Sequence, residues 1–131
     1  MTVRPRRPDD VPALVAALWA QQPESRYPFR DPLPIPVERF LHVDDAVAAW
    51  TAELDGRPVG HVCRTGPVAG FALADELNDV CAAAHGCPLE RLSWVTSLFV
   101  AREARGLGVG RLLLETVVAD IEAAGSRACL E

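Results

Sequence analysis

The sequence predicts a single α/β domain, and two observations carry that prediction. Near the middle of the chain, Asp55-Gly56 separates two strand-like runs, 48–54 and 58–64. Asp-Gly between such runs is among the strongest short-range hairpin signals. In the last third, the run 92–100 is rich in β-branched and aromatic residues. A glycine-rich loop, an amphipathic helix and the start of another strand follow it. Strand, helix and strand in this order make a βαβ unit, normally right-handed with parallel strands. The chain has 131 residues, enough for one core and too few for two.

The elements follow in order. Thr2-Val3-Arg4 begins a strand that Pro5 and Pro8 end, and the trio Arg4, Arg6 and Arg7 reads as its solvated edge. Asp9 or Asp10 then caps a helix that has Pro12 in its first turn. Val11, Leu14, Val15 and Leu18 give that helix one apolar face. Residues 21–35 contain four prolines and no periodicity, which predicts a loop. Val37 to Leu41 forms a short second helix. After the hairpin, a helix is expected over 71–84, with Leu73, Leu77, Val80 and Ala84 inward and Asp75, Glu76 and Asp79 outward. In the final helix Val109, Leu112, Leu113, Thr116, Val117 and Ile121 mark the apolar face, and Gly125 is the stop. Arg127 to Leu130 opens the last strand.

Composition removes several functions. All 13 Lys+Arg residues are arginine, so a P-loop lysine and a Schiff-base lysine are both excluded. The net charge of −5 and the lack of a basic stripe argue against nucleic acid. No apolar run approaches the roughly 20 residues that cross a bilayer, so no membrane role is expected. Val11 to Ala20 follows Asp9-Asp10 and lacks the basic flank of a signal peptide. A cytoplasmic protein is the simplest reading. Cys63, Cys81, Cys87 and Cys129 form no C-x-x-C pair, and His42, His61 and His85 show no ligand spacing. His85 and Cys87 alone do not make a metal site, and none is expected.

The chemistry is concentrated in Arg105-Gly106-Leu107-Gly108-Val109-Gly110. Three glycines clear side chains from a turn between strand and helix, so backbone N–H groups can approach a ligand. Those amides open a helix, where the first donors lack intrahelical partners and the dipole favours an anion. Arg105 and Arg111 flank the loop with positive charge. The constellation suits a pyrophosphate.

Three phosphate loops compete for it. The dinucleotide fingerprint is Gly-x-Gly-x-x-Gly, whereas this loop runs Gly-x-Gly-x-Gly and falls too near the C-terminus for a Rossmann sheet. A P-loop fails for want of lysine. The loop matches Gln/Arg-x-x-Gly-x-Gly/Ala after a strand and before a helix, and in this it resembles the GNAT superfamily of acetyl-CoA-dependent N-acetyltransferases. The approach segment Leu98 to Gly106 and the apolar run Leu112-Leu113-Leu114 are similar to the family's as well. The strand, Asp-capped helix, loop and hairpin upstream fall in the family's order.

The resemblance implies the acyl-CoA N-acyltransferase fold: a mixed, mostly antiparallel sheet with a central splayed parallel pair and helices on both faces. It implies that acetyl-CoA is the cosubstrate and sits in the splayed gap. Backbone groups of Leu98, Phe99 and Val100 would pair with the pantetheine arm, and an amide near Val100 would polarise the thioester carbonyl. Amides of Gly106, Leu107, Gly108, Val109, Gly110 and Arg111, with Arg105 beside them, would hold the pyrophosphate. An acceptor amine, on a small molecule or a protein, would then attack directly.

The family pattern is incomplete here. The strand before the loop offers Ser93, Thr96 and Ser97 but no carboxylate. Glu53, His61 and Glu90 are alternatives acting through water, and none is nominated as the general base. Relatives often carry a tyrosine acid in a later helix, whereas Tyr27 is the sole tyrosine and falls in the acceptor-facing loop. The chain ends inside the strand that follows the cofactor helix. The single domain 1–131 is therefore expected to be C-terminally incomplete, either as a fragment or as half of an assembly such as a homodimer. The alternative function is a non-catalytic acyl-CoA sensor of the same fold.

Overall fold

The computed structural model describes residues 1–28, 37–41, 46–68 and 72–130. Strands β1 (Thr2–Pro5), β2 (Ala46–Leu54), β3 (Arg57–Thr65), β4 (Leu92–Val100) and β5 (Arg127–Cys129) form one sheet in the order β1-β2-β3-β4-β5. The first three pairings are antiparallel and β4–β5 is parallel. Helices α1 (Val11–Ser25), α2 (Val37–Leu41), α3 (Ala74–His85) and α4 (Val109–Ala123) pack against it. This is the mixed sheet and flanking-helix architecture expected from the sequence. The parallel pair lies at the β5 end of the described strands.

The hairpin turns where expected. Asp55 and Gly56 both have positive φ (50° and 76°), the backbone that a two-residue turn between twisted strands needs. Helix α4 buries Val109, Leu113, Val117 and Ile121 at i, i+4 spacing against Trp50, Ala52, Val59, Val62 and Val95. Gly125, at φ 76°, ends it, with Ser126 N–H returning to Ile121 O at 3.0 Å. Leu14 and Leu18 of α1 and Leu41 of α2 form a second cluster with Phe99.

Three local expectations are corrected. First, α1 does not stop before residue 21 but runs through Pro23 to Ser25. Gln21 and Gln22 are buried there and their side-chain amides donate to Leu18 O, Tyr27 O and Pro28 O. These bonds tie the last turns and offset the helix-breaking tendency of Pro23. Residues 29–36 of the predicted loop lie outside the described residues.

Second, α3 buries a different face from the one predicted. Ala74 and Asn78 are buried, Leu77, Cys81 and Ala82 are half-buried, and Leu73, Val80 and Ala84 are exposed. The register is set by a polar residue. Asn78 accepts from Val68 N–H (3.1 Å) and the Trp94 indole (2.9 Å), and donates to Val68 O (2.8 Å). Phe71 of the predicted helix lies outside the described residues.

Third, two of the three N-terminal arginines are not solvated. Arg4 forms a two-pronged ion pair with Asp10 (2.8 Å each) and also reaches Glu53 (3.0 Å). Arg6 donates to Leu41 O and to His61 Nε2. Asp10 is therefore engaged with Arg4, Arg7 N–H (2.8 Å) and Thr51 (3.0 Å) and does not cap α1 through its side chain. The same Arg4 contacts hold its carboxyl well below the usual carboxylate range.

Candidate active site

A bulge in β4 organises the site. His61 of β3 pairs with Phe99, but Cys63 pairs with Thr96, so β4 carries one residue more than β3 across this stretch. Ser97 sits in the bulge at φ 52°, an uncommon backbone for a residue with a side chain. The extra residue reverses the alternation of the strand. Val95 consequently faces α4, whereas Phe99, four residues on, faces α1 and α2.

Beyond the bulge the backbone alternates too. Ala101 N–H donates to Val59 O at 2.7 Å. By the alternation of an antiparallel ladder, Phe99 also turns its backbone groups to β3, while Leu98 and Val100 turn theirs to the opposite edge. The β5 pairing covers only Leu92 to Trp94. Among the described residues, the edge at Leu98 and Val100 thus has no strand partner.

The loop then delivers a helix N-terminus to this edge. Gly106 and Gly108 have φ 76° and 83°, and a Cβ on either would meet nothing within 4 Å. Backbone conformation, not crowding, selects glycine at these two positions. Gly108 is the N-cap of α4, and Leu112 N–H to Gly108 O (3.0 Å) is the first intrahelical bond. The amides of Val109, Gly110 and Arg111 precede that bond and are free of intrahelical partners.

Leu98, Phe99, Val100, Ala104, Arg105, Gly106, Gly108, Val109 and Gly110 line one cavity of about 410 Å³. A second cavity, about 250 Å³, is lined by Tyr27, Val68, Leu130 and the β4 run Trp94 to Leu98. Leu98 lines both cavities, on either side of one residue of the strand edge. Eight of the ten residues selected from sequence line the first cavity: Leu98, Phe99, Val100, Arg105, Gly106, Gly108, Val109 and Gly110. Leu107 is exposed on the turn, and the Arg111 side chain runs along α4 to Glu115 (2.8 Å).

The chain matches the acetyltransferase (GNAT) family over residues 12–130. The chain belongs to the GNAT acetyltransferase family. Among solved structures it is similar to a GNAT family acetyltransferase from Brucella melitensis in complex with acetyl-CoA (19% identity, TM-score 0.64), covering 98% of this chain and 73% of that one. It is also similar to a predicted acetyltransferase with acetyl-CoA from Clostridium acetobutylicum (14% identity, TM-score 0.63; 99% and 79% covered). A third is a ribosomal-protein-alanine N-acetyltransferase from Brucella melitensis (22% identity, TM-score 0.65; 95% and 68% covered). No curated protein matches significantly.

In this GNAT domain the base candidates are dispersed. Glu53 is ion-paired with Arg4, Glu90 is exposed in the turn before β4, and His61 is fully buried. Among the described residues, no carboxylate or imidazole lines either cavity. None of the described residues forms a group suited to hold a metal ion. Tyr27 does line the second cavity and meets Phe40 edge-on, with ring centroids 5.5 Å apart.

Sequence reasoning missed Gln21. Its side-chain carbonyl accepts from Arg105 (2.9 Å), its amide donates to Tyr27 O, and it thereby links the glycine loop to the second cavity. The signal was a polar pair, Gln21-Gln22, at the end of an apolar helix.

Proposed function

We propose that this GNAT domain transfers an acetyl group from acetyl-CoA to an amine, with the donor along β4 and the acceptor in the Tyr27 cavity. The observation that carries the reading is that Leu98 of the open strand edge lines both cavities. The open edge of Leu98 and Val100 offers backbone groups to a pantetheine arm by strand addition. The amides at the start of α4 offer a pyrophosphate the donors and dipole that anions favour. An amide at Val100 would polarise the thioester carbonyl. The acetyl-CoA complexes of two structurally similar acetyltransferases support acetyl-CoA as the donor.

The described lining of the acceptor cavity is aromatic, aliphatic and hydroxylic. With no described base in reach, the acceptor would shed its proton to water, and the rate should rise with pH until the amine itself is neutral. Four unpaired cysteines fit the reducing cytoplasm as the compartment.

The test is a thermal-shift titration with acetyl-CoA followed by an amine panel read by release of free CoA thiol. A ligand at a hundred times its Kd should stabilise the native chain by about 2.7 kcal/mol, and Gly108→Glu should lose that shift. Thiol release with an amine establishes transfer. Binding without release on any amine would favour the sensor reading, and no shift at all would overturn the donor site.

A further inference from the structure

We propose that His61 is the positioning residue of the donor strand: it holds the Ser97 bulge, and through it the Leu98 and Val100 backbone against which acetyl-CoA would lie. This inference rests on the donor site proposed above.

His61 is 0% exposed and its ring stacks on Phe99 at a centroid distance of 5.7 Å. Its Nδ1 lies 2.8 Å from Ser97 O, a group that can only accept, so Nδ1 carries the proton. Its Nε2 lies 3.1 Å from Arg6 Nη1, a group that can only donate, so Nε2 is the bare acceptor. Arg6 thus selects the tautomer that donates to the bulge, as a group behind one ring nitrogen sets what the other can do. The bulge is gripped from other sides as well. Ser97 Oγ donates to Phe40 O at 2.6 Å, and the same Arg6 donates to Leu41 O.

Ser97 is the residue whose φ of 52° reverses the strand's alternation. A non-glycine residue persists there only where its surroundings hold it. Releasing Ser97 O would let β4 relax toward a regular strand, and a one-residue slip turns every later side chain and backbone group to the opposite side. Leu98 and Val100 would then no longer present their polar groups to the open edge. A core histidine that merely fills space would not need one bonded carbonyl at that one residue.

Two substitutions separate positioning from packing. In His61→Asn the side-chain amide falls near the Nδ1 position and can still donate to Ser97 O. In His61→Gln the amide falls near Nε2 and serves Arg6 instead. We expect His61→Asn to keep the acetyl-CoA Kd and the thiol-release rate within about 3-fold of the native protein. His61→Gln should lose at least 10-fold in rate, and its Phe99 and Ala101 amides, which the bulge turns toward β3, should exchange at least 10-fold faster while α4 amides stay unchanged. Equal behaviour of the two variants, or faster exchange spread over the whole sheet, would overturn the proposal. Should neither variant fold, ¹⁵N NMR of the native imidazole decides: a bare Nε2 and protonated Nδ1 supports it, and a protonated Nε2 overturns it. Acetyl-CoA binding that survives Gly108→Glu would instead sink the donor-site reading itself, whatever the His61 variants do.

Discussion

At the scale of single residues, the glycine loop separates constraint by fold from constraint by ligand. Gly110 lies in the first turn of α4 at ordinary helical backbone, and a Cβ there would touch only Val100 Cγ2 at 3.5 Å. The protein alone has room for alanine, whose helix propensity exceeds glycine's by about 1 kcal/mol. Gly110→Ala should therefore melt no lower than the native chain and keep its acetyl-CoA affinity, since the loop pattern admits alanine at this position. Gly110→Glu, by contrast, should lose at least 10-fold in affinity by calorimetry if a pyrophosphate rests on that turn. Unchanged affinity in Gly110→Glu would move the ligand elsewhere. The loop was readable from sequence because glycine at positive φ leaves a visible letter. The contacts of Arg6, His61 and Ser97 were not, because their meeting joins the end of β1 to β3 and β4 across gaps of 55 and 36 residues.

At the scale of elements, hydrophobic period identified the helices better than it identified their faces. Helix α4 was read correctly because its buried residues are all aliphatic. Helix α3 was misread because its central anchor is Asn78, which a hydrophobic pattern assigns to the surface. Asn78→Ala would leave the buried Trp94 indole N–H and the Val68 amide without their acceptor, and each orphaned group costs about 1–3 kcal/mol. A loss of about 3 kcal/mol in urea denaturation is expected, with the acetyl-CoA affinity of the remaining folded protein unchanged because α3 lines neither cavity. The contact between α4 and β3 is closer still. A Cβ on Gly60 would lie 3.0 Å from Leu113 Cδ1 and 3.2 Å from Phe99 O. Gly60→Ala should destabilise by about 1–3 kcal/mol, since the carbonyl cannot step aside as a side chain can. Because Phe99 is in the donor strand, this variant should also weaken acetyl-CoA binding, which Asn78→Ala should not.

At the scale of the whole molecule, Asp10 joins most of the N-terminal half in one polar cluster. It binds Arg4 of β1, Thr51 of β2 and the Arg7 amide, and stands at the entry to α1, while Arg4 extends the cluster to Glu53. The Arg4 hydrogen bonds outweigh the cost of burial and depress its folded pKa. A depressed carboxylate contributes stability that is fully present above its unfolded pKa, about 3.9. That contribution is lost as pH falls through the lower, folded value. Buried thiols set the opposite limit. Burial pushes Cys63 up to about 11 and Cys129, beside Cys81, up to about 12. The unfolded chain ionises these thiols first, from about pH 8.5, so stability declines again as pH rises from there toward the folded values. Denaturation midpoints measured from pH 2 to 11 should form a plateau between about pH 5 and 8 with both shoulders falling. Asp10→Asn removes the two-pronged partner of Arg4 and leaves it Glu53 alone, and should lower the plateau by about 2 kcal/mol. On the acid side the two proteins should converge as the native Asp10 takes up its proton, while on the alkaline side their curves should stay parallel. An acid shoulder of equal steepness in both proteins would mean that another carboxylate governs acid unfolding.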